Sequence, residues 1–234
     1  MCVLFKVNKE VGMLFSSSQK WIAVLMALGL LLSAPGFATD VRVLYQDDFV
    51  SEQSGWKVDH FWSYAGGEYR AFVTESESAL ASTLPAPHLF GLNPFCAQVD
   101  LKLLKGSGLA EDGFVGFYLA GRADDPNDFP SNAVLVGIDN FNRLLVMESF
   151  FNASLNRVDT SILMSVDNAI ADLNSFHTLL IAAQDNQVKV VLNGQFFGTV
   201  DVFGITGEMG LTAFSFEDHN LNARFDNVRI TDAC

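Results

Sequence analysis

Cysteine, histidine and positive charge are all scarce in this chain, and each shortage removes a class of function. Three cysteines in 234 residues are too few for a disulfide-dense scaffold, and none stands at a zinc-ligand spacing with histidine. The four histidines, His60, His88, His177 and His219, lie singly, and there is no Gly-x-Ser-x-Gly elbow, so a nucleophilic triad has no seat. His177 opens an apolar strand and reads as a satisfied structural residue. Lysine and arginine number 14 against 27 aspartates and glutamates. A surface so negative repels nucleic acid and anionic lipid, and its plain use is solubility. No amphipathic helical pattern, internal repeat or low-complexity linker is present.

Long apolar runs are missing too, with the exception of Trp21–Leu32, which is shorter than the roughly 20 residues that cross a bilayer. Lys6, Lys9 and Lys20 precede it and Ser33-Ala34-Pro35-Gly36-Phe37-Ala38 follows. This is the three-part layout of a secretory signal, with small residues at the peptidase positions. Residues 1–38 are therefore expected to be removed on export to the periplasm or beyond, with Met13 an alternative start. No cysteine adjoins the cleavage point, which argues against a lipid anchor. Removal takes three lysines and one glutamate, leaving 11 basic and 26 acidic residues, a net charge near −15. Residues 39–234 are enough for one domain and too few for two of ordinary size.

What is abundant is strand signal. Phe176–Ala183, Gln187–Asn193, Gln195–Val200, Glu208–Phe216 and Ala223–Ile230 read as five consecutive strands in an antiparallel meander. Gln184-Asp185-Asn186 and Asn193-Gly194 punctuate them, the second being the strongest short hairpin signal. Upstream, Tyr69–Thr74, Phe95–Leu104, Gly113–Ala120, Ala133–Ile138, Arg143–Ser149 and Thr160–Met164 continue the pattern, after a short leading strand within Asp40–Phe49. Turns every 8–12 residues predict an all-β fold of two antiparallel sheets. In the strand from Phe114, Phe114 and Tyr118 share one face with Gly116, and Val115, Phe117 and Leu119 share the other. Both faces are apolar, as for a strand whose outer side lines a groove or is covered by loops.

Cleavage leaves Cys96 and Cys234, an even number in an oxidising compartment. Cys96 opens the strand Phe95–Leu103 and Cys234 follows the last one. If those strands are antiparallel neighbours, the start of one meets the end of the other, as a disulfide requires. The bridge would close a loop of well over 100 residues, worth around 4 kcal/mol in the chain-entropy picture.

The order Asp47-Asp48-Phe49, Gly55-Trp56, FCAQVDLKL (Phe95–Leu103), GFVGFYLAGR (Gly113–Arg122), VKVVLNG (Val188–Gly194), GEMGL (Gly207–Leu211) and FDNVRI (Phe225–Ile230) resembles the concanavalin A-like lectin and glucanase superfamily. Within it, the order is similar to bacterial laminin-G-like modules and to the 3-keto-disaccharide hydrolase group. The resemblance implies a jelly roll of two curved antiparallel sheets whose concave face or rim loops meet carbohydrate. It also implies that the last strand neighbours the one holding Cys96. Three roles are consistent with it: a non-catalytic carbohydrate-binding or adhesion-type module, a glycoside-processing enzyme of the 3-keto-disaccharide hydrolase type, and a structural envelope protein. The Glu-x-Asp-x-x-Glu strand of the glucanases is absent here. Glycosidases need paired carboxyls, and Glu75, Glu77 and Glu148 read as solvated groups, which favours the module.

First and last strands often meet near a structural calcium in that superfamily, so the resemblance implies a candidate site from Asp48 and Asp226. The competing reading gives these aspartates to turns and backbone amides. Asp124-Asp125-Pro126-Asn127-Asp128 is a second oxygen-rich stretch, without the EF-hand spacing. For a sugar, the candidate ligand-binding residues are Trp62 and Tyr64 in a Gly-bordered loop, joined by Tyr118, Arg122 and Glu148 if their strand faces agree. Core packing competes for each aromatic.

Overall fold

A computed structural model describes residues 41–73, 79–104, 113–121, 132–152, 157–215 and 220–234. The segment 1–38 read as a secretory signal lies outside them. The described residues form fourteen strands: β1 (Val43–Asp47), β2 (Trp62–Ala65), β3 (Glu68–Val73), β4 (Ala79–Thr83), β5 (Phe95–Leu103), β6 (Gly113–Gly121), β7 (Val134–Asp139), β8 (Leu144–Asn152), β9 (Arg157–Val166), β10 (His177–Gln184), β11 (Gln187–Leu192), β12 (Gln195–Asp201), β13 (Glu208–Ser215) and β14 (Leu221–Thr231). No α-helix occurs among them, only short 3-10 turns at Glu52–Ser54 and Pro87–Leu89.

Two antiparallel sheets result. The larger runs β12-β11-β10-β5-β14-β3-β2, with β1 also paired to β14, and the smaller runs β4-β13-β6-β7-β8-β9. The closing segment has all five expected strands, but only β10, β11 and β12 are a meander. β13 crosses to the small sheet and β14 returns to the centre of the large one. The crossing follows from burial: the β10 and β11 patterns alternate, whereas seven of the eight β13 residues are buried, as befits a strand apolar on both faces. Asn193 (φ 52°) and Gly194 (φ 78°) turn the β11–β12 hairpin in the left-handed region, where asparagine and glycine are cheapest.

Alternate residues of both sheets fill the space between them. Leu101, Leu179, Val190, Phe225 and Ile230 from the large sheet meet Val115, Phe117, Val136, Val146 and Leu211 from the small one. Each fully buried side chain of this kind contributes roughly 1.5–3 kcal/mol by leaving water. The small sheet carries a second apolar cluster on its other face, of Ala81, Phe114, Tyr118, Ala133, Leu135, Leu145, Met147 and Phe214, also buried. Phe114 stacks on Phe214 with centroids 4.8 Å apart.

Asp47 organises the aromatic end of the core. It is buried and accepts from Trp56 Nε1 (2.8 Å), Tyr45 Oη (3.2 Å) and Phe49 N (2.8 Å). Burial first, and then this carboxylate, holds the Tyr45 phenol far above its ordinary range. Asp47→Ala strands three donors, and a buried unpaired donor costs about 1–3 kcal/mol. The expected loss is therefore about 3 kcal/mol or more, read as a lowered urea midpoint; a change under about 1 kcal/mol counts against the role.

Candidate functional site

The structure separates the expected ligand-binding residues. Trp62 is 1% exposed. It is not in a loop: β2 pairs with β3, placing Trp62 opposite Ala71, and the indole stacks on Tyr69 at 5.0 Å and lies beside Phe225. A ring enclosed in this way offers no face to a sugar, so Trp62 belongs to the core. Tyr64 is half-buried over Phe49 and Tyr69, and its phenol, raised chiefly by burial, hydrogen-bonds the Ser54 hydroxyl at 2.8 Å. Tyr118 is 0% exposed on the second face of the small sheet, donating to Thr83 Oγ1 at 2.9 Å. Arg122 lies outside the described residues, as do Glu75, Glu77 and the Asp124–Asp128 stretch.

Glu148 is the expected residue that reaches a cleft. Register pairs Glu148 with Val134 and Phe150 with Asp159, so Glu148 and Phe150, two apart on β8, project to one side. There the connection from β12 to β13 passes, and Phe203 N donates to Glu148 Oε1 at 3.1 Å. The resulting cleft of about 430 Å³ is lined by Asn132, Val134, Glu148, Phe150, Phe203 and Thr206. Phe203 is 95% exposed and Phe150 44%. Ser149 is part of the wall, accepting from Ala133 N at 3.1 Å.

Phe203 and Phe150 lack the polar tip that marks Trp62 and Tyr64 as sugar-site candidates in the sequence. The available signal is Val202-Phe203-Gly204, where phenylalanine follows a strand end and precedes glycine. A phenyl ring held fully in water gains nothing from folding, which makes its position informative. The chemistry available is two apolar ring faces, a carboxylate with one oxygen bonded to backbone, an amide at Asn132 and a hydroxyl at Thr206. Among the described lining residues Glu148 is the sole carboxyl.

The calcium expectation fares less well on fit. Asp48 accepts from Val50 N at 3.3 Å and Asp226 from Asn227 N at 2.8 Å, the turn-capping role. Among the described residues no group of three or more carboxylates, imidazoles or thiols is placed to hold a metal. Calcium takes six to eight oxygens, and these two aspartates do not supply such a shell. Burial, and next the charges of Asp100, Glu68 and Asp48, raise the Asp226 carboxyl. The cysteines behave differently. Thr231 of β14 pairs with Cys96 of β5, and Cys96 and Cys234 are joined by a disulfide with Cα atoms 5.4 Å apart. His177 is buried between Asp172 O and Asn193 Nδ2, at 2.6 and 2.9 Å.

No protein-family model and no curated protein sequence matches the chain. Solved structures do share its architecture. A carbohydrate-binding module, CBM66 of Bacillus subtilis, is 20% identical, covering 77% of this chain and 97% of its own, with a TM-score of 0.55. A Bacillus subtilis protein with a galectin-like fold is 11% identical over 82% and 98%, TM-score 0.58. The β-glucanase of Bacillus licheniformis is 14% identical over 80% and 96%, TM-score 0.52. The fold is thus the concanavalin A-like jelly-roll sandwich, and the chain spans nearly the whole of each of these structures.

Proposed function

We propose that the chain is an exported, non-catalytic carbohydrate-binding module that takes its ligand in the Phe150–Glu148–Phe203 cleft. The observation that carries this reading is Phe203, a phenyl ring at 95% exposure beside a carboxylate to which its own backbone N–H is bonded. Sugar rings present apolar C–H faces and polar edges. A site of aromatic surface with a few placed hydrogen-bonding groups matches both. The cleft volume of about 430 Å³ falls in the range of small-ligand sites. Solved structures of the same fold include a carbohydrate-binding module and glucanases, which supports a carbohydrate ligand. Glu148, the one carboxyl among the described residues lining the cleft, supports binding over hydrolysis. Export rests on the signal-like segment within residues 1–38 and on the disulfide, which an oxidising compartment preserves. Residues 39–234 then form the mature domain.

Calorimetry against a panel of neutral poly- and oligosaccharides tests the reading. Phe203→Ala removes an exposed ring, so the melting temperature stays within about 1 °C. Affinity falls by about tenfold or more, since covering a phenyl face is worth roughly 1.5–3 kcal/mol. Absence of binding across the panel, or binding indifferent to both Phe203→Ala and Phe150→Ala, sinks it. Release of products by the wild type would instead make the chain an enzyme.

A further inference from the structure

Among the described residues, one buried side-chain nitrogen lacks any hydrogen-bond partner: Nε of Arg70. Arg70 sits on β3 between the inward-facing Tyr69 and Ala71, so it projects from the outer face of the large sheet. Antiparallel register sets Ser63, Arg70, Arg224 and Lys102 side by side on that face. Three cations in a row are unusual in a chain with nearly twice as many acids as bases. Glu68 answers two of them, its two oxygens meeting Lys102 Nζ at 2.8 Å and Arg224 Nη1 at 2.9 Å. Asp100 is taken by Thr178 Oγ1 and Asn227 Nδ2, and Asp226 by Asn227 N. None of these carboxylates pairs with Arg70.

A buried donor without an acceptor costs about 1–3 kcal/mol, more when charged, and a native fold retains one where a water, ion or ligand completes it. Water would fill the empty donor but leave two guanidinium groups adjacent. Burial, and after it the charge of Arg70, already makes Arg224 less basic than a free guanidinium. An anion relieves both problems. A planar fork selects planar oxyanions, and the acidic row of Glu68, Asp226 and Asp100 beside it repels polyanions. We propose that Arg70, with Arg224 and the Ser63 hydroxyl beside it, is a binding site for a single carboxylate, as carried by a uronic sugar or a simple organic acid. The site is independent of the Glu148 cleft, which belongs to the other sheet.

Titration of the full chain with sodium glucuronate, sodium acetate and glucose at one ionic strength, followed by calorimetry and amide chemical shifts, tests it. Glucuronate binds and glucose leaves the β3 and β14 amides unmoved. Arg70→Gln weakens glucuronate by about tenfold or more, the worth of a charge-assisted hydrogen bond. Arg70→Met abolishes the response while keeping or raising the melting temperature, because it deletes an unpaired donor. Acetate binding as tightly as glucuronate identifies a carboxylate site without sugar contacts, and glucuronate alone a uronic sugar site; both uphold the proposal. Silence of the wild type to both anions, or affinities unchanged in both variants, overturns it.

Discussion

Replacing Cys96 and Cys234 together by alanine lowers the stability by about 4–5 kcal/mol, the chain-entropy value for so long a loop. The two sulfurs are 138 residues apart in sequence, and their strands, β5 and β14, are already hydrogen-bonded neighbours from Leu103↔Ala223 to Cys96↔Thr231. The bridge therefore adds little that the native sheet lacks. Its work is done on the unfolded chain, which it keeps from exploring open arrangements. Total stabilities of domains run about 5–15 kcal/mol, so this one bond decides between a robust and a marginal fold. Equilibrium urea unfolding of the double variant, beside the wild type with and without reductant, measures it. With slopes of about 1–3 kcal/mol per molar urea, the midpoint falls by roughly 2 M in both the variant and the reduced wild type. Curves for the variant and the reduced wild type that superimpose on that of the oxidised wild type would show that the unfolded chain is already confined.

The sandwich was legible where local chemistry and tertiary role agree. Asn193-Gly194 demands left-handed backbone in any context, and the hairpin appears where that pair stands. The pairing of the last strand with Phe95–Leu103 followed from the cysteines and the resemblance together. Reading failed where a strand's partner is distant. β4 (Ala79–Thr83) has no alternation and is a strand because β13 binds it along its length. The two-sheet path of β13 is likewise invisible locally, since an Asn-Gly turn announces a hairpin but nothing in a sequence announces a crossover.

The candidate site was less legible than the fold, for a physical reason. Aromatic side chains serve cores and sugar sites with the same surface, so composition cannot assign Trp62 to one or the other; its register opposite Ala71 does. Glu148 looked solitary because its companions come from elsewhere: Phe150 by strand alternation and Phe203 from a crossover 55 residues on, joined by one backbone hydrogen bond. Arg70 illustrates the opposite case. Nothing distinguishes it in sequence from any strand arginine, and its lack of a partner is visible only once the acids around it are seen to be engaged.

Gly137→Val is expected to cost more than about 3 kcal/mol, beyond the usual range for overpacking, even though valine favours strands over glycine by up to about 1 kcal/mol. Gly137 of β7 lies opposite Gly116 of β6. A Cβ at 137 would stand 2.1 Å from Val115 O, 2.6 Å from Gly116 Cα and 2.7 Å from Phe114 Cζ; one at 116 would stand 2.4 Å from Val136 O and 2.8 Å from Phe114 Cε1 and Cζ. The glycine pair thus does two things. It brings the strands close, and it leaves a flat floor on which the Phe114 ring lies while stacking on Phe214. Which of these matters more is decided by what can move. A phenyl ring can tilt by a few tenths of an ångström, whereas a carbonyl held within a strand ladder cannot, so the backbone contact at 2.1 Å governs the penalty. It follows that Phe114→Ala, which empties the space above both glycines, does not rescue Gly137→Ala. The double variant keeps most of the Gly137→Ala loss, the coupling staying below about 1 kcal/mol, at the low end for touching residues, because only the ring contact is relieved. Recovery of most of the Gly137→Ala loss in the Phe114→Ala background, measured by the same urea titrations, would instead assign the two glycines to the ring and leave the spacing of β6 and β7 to other causes.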